Sequence, residues 1–178
     1  MLEQDAVSQR DAALLAAADS AVGQEEILRP ALGAGENIVA DRYVYSHLAH
    51  FVARGVDRSL LEVWLADFTV PDVILLLDVP PEKARDRLAE KGKPDIWECG
   101  LDAAAGVSIG QAWRQFQQGQ QQRAELDEHL ERHQRKLADL YAELLPDRLT
   151  QRLDACLPPE ELSHRAWLAI SPLLAEDV

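Results

Sequence analysis

Residues 73–82 read Val73-Ile74-Leu75-Leu76-Leu77-Asp78-Val79-Pro80-Pro81-Glu82, and this stretch decides the fold class. Its first five side chains are all apolar, which is typical of a strand covered on both faces in a parallel sheet. Pro80 and Pro81 predict a helix start because proline fits the first helical turn. Glu82 lies where the helix dipole favours a negative charge. The stretch therefore predicts one strand–helix unit of an α/β fold.

Weaker strand and helix signals alternate on both sides of this unit. The short apolar run Ile38-Val39-Ala40 predicts a second strand, and residues 149–154 predict a third. Helices are predicted over residues 11–32, 45–53, 59–68, 80–91, about 111–145 and from Pro158 onward. The third of these begins at Ser59, which has the capping-box spacing to Glu62. The alternation predicts one α/β domain over residues 1–178, with a parallel sheet flanked by helices.

The long helix has two unlike halves. Residues from about 99 to 125 combine a loop of small residues with a glutamine-rich stretch, and they predict a solvated or partner-facing insert rather than a prion-like segment. In the second half, Leu130, Leu137 and Leu144 form one apolar seam. The seam predicts the face of this helix that packs on the core.

Composition narrows the classes of partner. The 178 residues include 31 Asp and Glu against 18 Lys and Arg, a net charge of −13, which disfavours nucleic acids and anionic lipid surfaces. No apolar run is long enough to span a bilayer, and no signal-peptide pattern opens the sequence. Cys99 and Cys156 have no metal-ligand spacing. These features predict a cytoplasmic protein.

The segment Asp41-Arg42-Tyr43 directly follows the predicted strand at residues 38–40. In doubly wound sheets the carboxyl ends of the strands face the ligand crevice. An aspartate there can hold a magnesium ion or its water shell, and an arginine can grip a phosphate. A salt bridge at the end of the strand is the structural alternative.

Two further patterns bear on chemistry. Asp95 and Glu98 flank Trp97 in a polar connection, where they are either part of a closing loop or ordinary surface carboxylates. No G-x-x-x-x-G-K-[ST] loop occurs, because the lone Gly92-Lys93 is followed by Pro94. The histidine pairs at 47 and 50 and at 129 and 133 have helical spacing but complete no metal motif.

Taken in order, these segments resemble the thymidylate kinase family, over most of residues 13–98 and 134–173. The matching residues are Ala17-Ala18-Asp19, Glu25 to Leu32, Asp41-Arg42-Tyr43-Val44, Ser46, Leu48, Ala49, Pro71-Asp72, Leu77 to Glu82, Arg87, Asp95, Glu98, Asp154-Ala155, Glu160-Glu161-Leu162 and Trp167. The resemblance implies a P-loop-kinase-like three-layer core.

The family reaction is the ATP-dependent phosphorylation of a nucleoside monophosphate, dTMP to dTDP, with Mg²⁺. Such chemistry depends on positioned cations and metal rather than on a covalent catalyst. By resemblance, Asp41 orients magnesium and Arg42 the acceptor phosphate. The other roles that the resemblance implies are catalysis for Glu98, cofactor binding for Arg87 and for Ala155 near the adenine, and substrate binding for Ser46 and Asp95.

Several positions depart from the family pattern. The chain is expected to start after the family's P-loop strand, its helix and a second strand. The base-stacking aromatic falls at Ala16, the base-reading arginine at Ser20 and the base-reading glutamine at Phe51, and the lid arginine falls at Ile96. Three readings stay open, namely a partial kinase, a non-catalytic scaffold, and an enzyme completed by a homo- or hetero-oligomeric partner that supplies the P-loop.

Three expectations follow for the structure and for binding. The strand at residues 38–40 pairs directly with residues 73–77 in a three-stranded parallel sheet, or a partner chain completes the sheet. Arg42 faces the crevice, or it is absorbed by a structural acid such as Asp19. The isolated chain binds ATP–Mg²⁺ no better than about millimolar, which corresponds to roughly 4 kcal/mol.

Overall fold

The computed structural model describes residues 7–91, 100–104, 114–115, 117–118 and 123–174. Its elements are α1 (Gln9–Gly23), a π-helical turn (Gln24–Leu28), α2 (Arg29–Gly33), α3 (Val44–Ala53), α4 (Arg58–Trp64), β1 (Ile74–Asp78), α5 (Pro81–Lys91), α6 (Leu101–Ala104), α7 (Arg123–Leu144), β2 (Thr150–Asp154) and α8 (Pro159–Leu174). The described chain is therefore mostly helical, with two strands that are separated by helices.

The sheet consists of β1 and β2. The strands run parallel, in a register that pairs Ile74 with Thr150 and Asp78 with Asp154. Their connection contains α5, α6 and α7, because parallel strands need a long crossover, usually a helical one. A small parallel sheet flanked by helices confirms the α/β class. The expectation that β1 is covered on both faces is wrong, because no residue of the strand is fully buried and Leu77 is 54% exposed.

The predicted strand at residues 38–40 is wrong for this chain. These residues belong to no strand, and Val39 is 92% exposed. β1 pairs with β2 instead, so the expected direct pairing with residues 38–40 does not form. Apolar composition alone does not make a strand, because a ladder needs a partner strand about 4.8 Å away. Completion of the sheet by a partner chain stays a prediction.

The main core lies between α1, α3, α4 and α7. Its buried side chains include Ala13, Ala17, Leu48, Ala49, Phe51, Leu61, Leu65, Phe68, Leu137 and Leu144. A second small cluster joins Leu101 and Leu130, with Leu88 against it. The predicted seam of α7 is confirmed, because Leu130, Leu137 and Leu144 are all buried. α7 therefore ties both clusters together.

Side-chain caps fix the N-terminal ends of two helices that pack on this core, α1 and α4. Ser8 and Asp11 form a reciprocal capping box at the start of α1. The predicted cap at Ser59 is wrong, since Asp57 caps α4 by accepting from the Ser59 amide at 2.8 Å. Glu62 instead pairs with Arg58. An aspartate at the N-cap can satisfy the free amides of the first helical turn, and Asp57 does so two residues before Ser59.

Candidate functional site

Arg42 has the backbone conformation that singles out its segment. Its φ is +69°, and among the described residues it is the one non-glycine with positive φ. This left-handed conformation costs an L-residue about 1–2 kcal/mol. The strain lies directly before α3, whose first residue is Val44. Strained residues of this kind concentrate at functional sites, which supports the sequence-based choice of Arg42.

The Arg42 side chain is held by a histidine of α3. Its Nη1 lies 2.9 Å from Nε2 of His50, so in the described chain a histidine takes the place of the acid Asp19 considered above. Burial, followed by the charge of Arg42, lowers the pKa of His50 to about 3. The His50 ring is therefore neutral near pH 7, and Arg42 keeps its positive charge uncancelled.

More basic groups lie behind His50. Arg54 is buried and donates from Nη1 to the His50 carbonyl at 3.1 Å. The ring of His133 lies 6.2 Å from that of His50, edge to face. Lys136 of α7 donates to the carbonyl of Ala53 at 2.8 Å. This concentration of basic side chains, in a chain of net charge −13, makes the region attractive to an anion.

His47 extends the cluster toward α1. Its Nδ1 lies 3.3 Å from Oγ of Ser20. Burial and the charge of Arg42 lower the pKa of His47, and the opposing effect of Asp19 is smaller. Both histidines of α3 are thus biased toward the neutral form by the same physical causes.

Tyr43 is anchored by Gln24, which the sequence analysis missed. The Tyr43 hydroxyl donates to Gln24 Oε1 at 2.9 Å, and the Thr69 amide donates to the same oxygen at 2.6 Å. Gln24 Nε2 donates to the Asp67 carbonyl at 3.2 Å. Gln24 is only 4% exposed and lies in the π-helical turn. The sequence signal that could have found this contact was Gln24 itself, a polar residue that interrupts the predicted apolar face of helix 11–32.

A second group of candidate residues lies at the carboxyl ends of the strands. Arg87 Nη2 donates to the Ala155 carbonyl at 2.7 Å, and the Ala155 amide donates to the Asp78 carbonyl at 2.8 Å. The structure therefore brings Arg87 and Ala155 together, as expected if they share one site. Asp78 also pairs with Arg152 at 3.4 Å.

The comparison with known proteins decides the family. Residues 1–99 match the family model described as "Thymidylate kinase". This match covers more than half of the 178 residues. The chain belongs to the thymidylate kinase family.

Relatives in this family match different lengths of the chain. A "Probable thymidylate kinase" from Thermococcus kodakarensis is 42% identical over 89 residues, 48% of this chain and 42% of that protein. One from Archaeoglobus fulgidus is 37% identical over 81 residues, 45% of this chain and 41% of that protein. A "Thymidylate kinase" from Deinococcus radiodurans is 33% identical over 162 residues, 89% of this chain and 66% of that protein. The chain thus spans less than two thirds of the length of these relatives.

Positions that resemble the base pocket of thymidylate kinases take structural roles here. Ala16 packs on the main core, and Phe51 is buried within it at 6% exposure. Ser20 contacts His47. Neither Ala16 nor Phe51 therefore offers a hydrogen-bonding side chain for reading a base.

The remaining candidates differ in accessibility. Asp41 is exposed. Ser46 is buried, and its Oγ accepts from the Tyr141 hydroxyl at 3.2 Å. Asp95, Ile96 and Glu98 lie outside the described residues.

The part of the chain that the structure describes lacks two further features. It holds no group of three or more His, Cys, Asp or Glu side chains arranged to bind a metal ion. Its helices include none that is both long and apolar enough to cross a membrane.

Proposed function

We propose that the Asp41-Arg42 segment binds the phosphate of a nucleoside monophosphate, as the acceptor site for ATP-dependent phosphorylation of dTMP to dTDP. The observation that carries this proposal is the exposed guanidinium of Arg42 on a strained left-handed backbone, inside the family match over residues 1–99. Arginine forms charge-assisted, often bidentate hydrogen bonds with phosphate oxygens. The basic groups behind it favour the same anion.

The position of Asp41 fits a magnesium nucleotide. Mg²⁺ keeps several waters and is usually held by one or two carboxylates together with substrate phosphates. One exposed carboxylate beside a phosphate-binding arginine meets that requirement. When bound, the metal would neutralise phosphate charge during transfer.

The second group of residues fits the donor side of such a site. We infer that Arg87 and Ala155 border the bound ATP, which their direct contact supports. Glu98 and Asp95 keep the lid and substrate roles that the resemblance implies. A nucleotide substrate favours a cytoplasmic location, and the net charge of −13 disfavours nucleic acid and anionic membranes as partners.

Base selectivity should be relaxed. A pocket distinguishes bases strongly when its buried polar side chains form hydrogen bonds with the correct base, because the wrong base leaves those side chains unpaired. Ala16 and Phe51 provide no such groups. We therefore expect dTMP, dUMP and dCMP to bind with affinities within about tenfold of one another.

A non-catalytic scaffold derived from a nucleotide kinase is the second candidate. One predicted ligand-binding side chain already makes a bond within the chain, since the buried Ser46 hydroxyl accepts from the Tyr141 hydroxyl. If the chain serves only as a scaffold, neither nucleoside monophosphates nor inorganic phosphate should bind near Arg42.

Calorimetric titration of dTMP and of inorganic phosphate into the full chain tests the proposal. The wild type should bind dTMP, and Arg42→Met should weaken binding by about 10- to 100-fold, the loss expected for hydrogen bonds to a charged group. Arg135→Met, which removes an exposed arginine of α7, is the matched control and should leave affinity unchanged. The absence of dTMP binding by the wild type would favour the scaffold. Formation of ADP and dTDP from ATP–Mg²⁺ and dTMP would exclude it.

A further inference from the structure

The His50 ring lies between two guanidinium groups. Arg42 Nη1 is 2.9 Å from Nε2 on one side, and Arg54 Nη1 is 3.4 Å from Nδ1 on the other. Arginine has only donors, and a neutral imidazole has one nitrogen that accepts and one that donates. Only one of the two guanidinium groups can therefore bond to the ring.

The two distances decide which one. A separation of 2.9 Å is normal for a hydrogen bond from nitrogen, whereas 3.4 Å lies beyond the usual range. Arg54 has a better acceptor in the His50 carbonyl, at 3.1 Å. His50 Nε2 therefore accepts from Arg42, and the ring proton is on Nδ1.

We propose that His50 positions the Arg42 guanidinium, using the Nε2 lone pair of the neutral Nδ1–H tautomer to hold it at the phosphate-binding site. The statement that Arg42 binds a phosphate rests on the proposed function, whereas the tautomer of His50 and its hydrogen bond to Arg42 do not. A carboxylate partner would orient the guanidinium and also cancel the charge that a phosphate needs. A neutral imidazole orients it and leaves that charge available. Fixing a long, exposed side chain before the ligand arrives reduces the entropy lost on binding.

Groups from three directions keep the ring neutral and in place. Burial has the largest effect in lowering the pKa of His50. The next largest effects, in decreasing order, come from Arg42, Arg54, His133 and His47. Lys136 adds a further positive charge from α7 beside the end of α3. The opposing negative charge of Asp19 in α1 acts on His47, whose pKa it raises. Thus the charged groups around the His50 ring are predominantly basic, and protonation of the ring is disfavoured.

The ring of His133 is confined from behind by Gly100. This glycine has a φ of +62°, and a Cβ built on it would overlap the ring of His133. His133 is 7% exposed and meets His50 edge to face. The backbone of Gly100 therefore closes one wall of the cluster that holds the His50 ring.

Nitrogen NMR of the full chain labelled with ¹⁵N-histidine tests the tautomer directly. His50→Phe identifies the resonances of His50 by their disappearance. The wild type should show a pyridine-type Nε2 and a protonated Nδ1 from pH 8 down to pH 5, and Arg42→Met should shift the Nε2 resonance. A ring protonated on Nε2, a cationic ring at pH 5, or an Nε2 resonance unchanged in Arg42→Met would each overturn the proposal.

Binding of dTMP supplies the second test, by a double-mutant cycle. His50→Phe should weaken dTMP at least tenfold, and His50→Gln, whose amide oxygen can accept from Arg42, should recover part of the loss. In an Arg42→Met background, His50→Phe should have no further effect, because the residue acts through Arg42. His129→Phe, a matched change on the half-exposed part of α7, should leave affinity unchanged.

The two tests separate this inference from the proposed function. A wild type that does not bind dTMP contradicts the proposed function, and the NMR result then decides the inference by itself. A wild type that binds dTMP, with full affinity retained in His50→Phe, contradicts the positioning role alone.

Discussion

Replacing Gln24 with leucine should destabilise the protein through three lost hydrogen bonds. Gln24 Oε1 accepts from the Tyr43 hydroxyl and the Thr69 amide, and Nε2 donates to the Asp67 carbonyl. Leucine has a similar size, so Gln24→Leu removes the bonds with little change in packed volume. The three former partners of Gln24 differ in whether they can find another hydrogen-bond partner. Tyr43 is half-buried and can turn to water, and the Asp67 carbonyl keeps a bond from Arg29 at 2.9 Å.

The expected loss is about 3 kcal/mol. Each net hydrogen bond contributes about 1 kcal/mol, and a stranded amide costs about 1–3 kcal/mol. Thr69 has the least prospect of recovery, because its amide faces the buried oxygen at 2.6 Å. Tyr43→Phe removes one of the three bonds and should cost about 1 kcal/mol. In the double variant the two losses should not add, since they share one contact.

Urea denaturation followed by circular dichroism measures the loss in the free energy of unfolding. The m-values should match the wild type, so that midpoint shifts report stability alone. Gln151→Leu, at an exposed glutamine of β2, is the control and should stay within about 0.5 kcal/mol. If Gln24→Leu costs less than 1 kcal/mol, or no more than Tyr43→Phe, then Gln24 does not anchor the Asp41-Arg42-Tyr43 segment.

Three further predictions concern the same cluster. The pKa of His50 is about 3 in the folded chain and 6.5 in its ordinary state, so the unfolded chain takes up the proton first as pH falls. The free energy of unfolding should therefore drop by about 2 kcal/mol between pH 7.5 and pH 5, and His50→Phe should remove most of this slope in urea titrations at the two pH values. A flat wild-type profile would contradict the depressed pKa. At Arg42, where φ is +69°, the glycine variant should be about 1 kcal/mol more stable than the alanine variant, the reverse of the usual order. Thermal melts of the two variants would measure the difference, and equal melting temperatures would refute backbone strain at this position. Gly100→Ala should cost at least about 2 kcal/mol in urea, because it strains the backbone and overlaps His133. His133→Ala should relieve the overlap, and an additive double variant would argue against that contact.

Local patterns predicted the elements that short-range physics controls. The apolar run at residues 73–77 and the prolines after it predicted β1 and α5, because strand propensity and first-turn proline are local properties. The expected burial of β1 on both faces is wrong, since it depends on the elements packed against the strand, and Leu77 is 54% exposed. The heptad-like seam of Leu130, Leu137 and Leu144 specifies the buried face of α7 in the same way. The ordered segments from residue 13 onward were also enough to suggest the family, which the match over residues 1–99 shows.

Contacts between residues distant in sequence determined the features that local patterns did not predict. Residues 38–40 look like a strand but pair with nothing in the described chain, and Asp57 displaces Ser59 as the cap of α4. The candidate site shows the same division, since Asp41-Arg42-Tyr43 stood out as a motif, whereas neither Gln24 nor His50 did. Gln24 meets Thr69 across 45 positions and His50 meets the ring of His133 on another helix, contacts that only the packing of α1, α3 and α7 creates. The amino-acid order by itself determined β1, α5 and the buried face of α7, and it marked Arg42 as chemically notable. Only the tertiary structure determined what holds Arg42, because a hydrogen bond depends on the distance between two groups, and chain folding sets that distance.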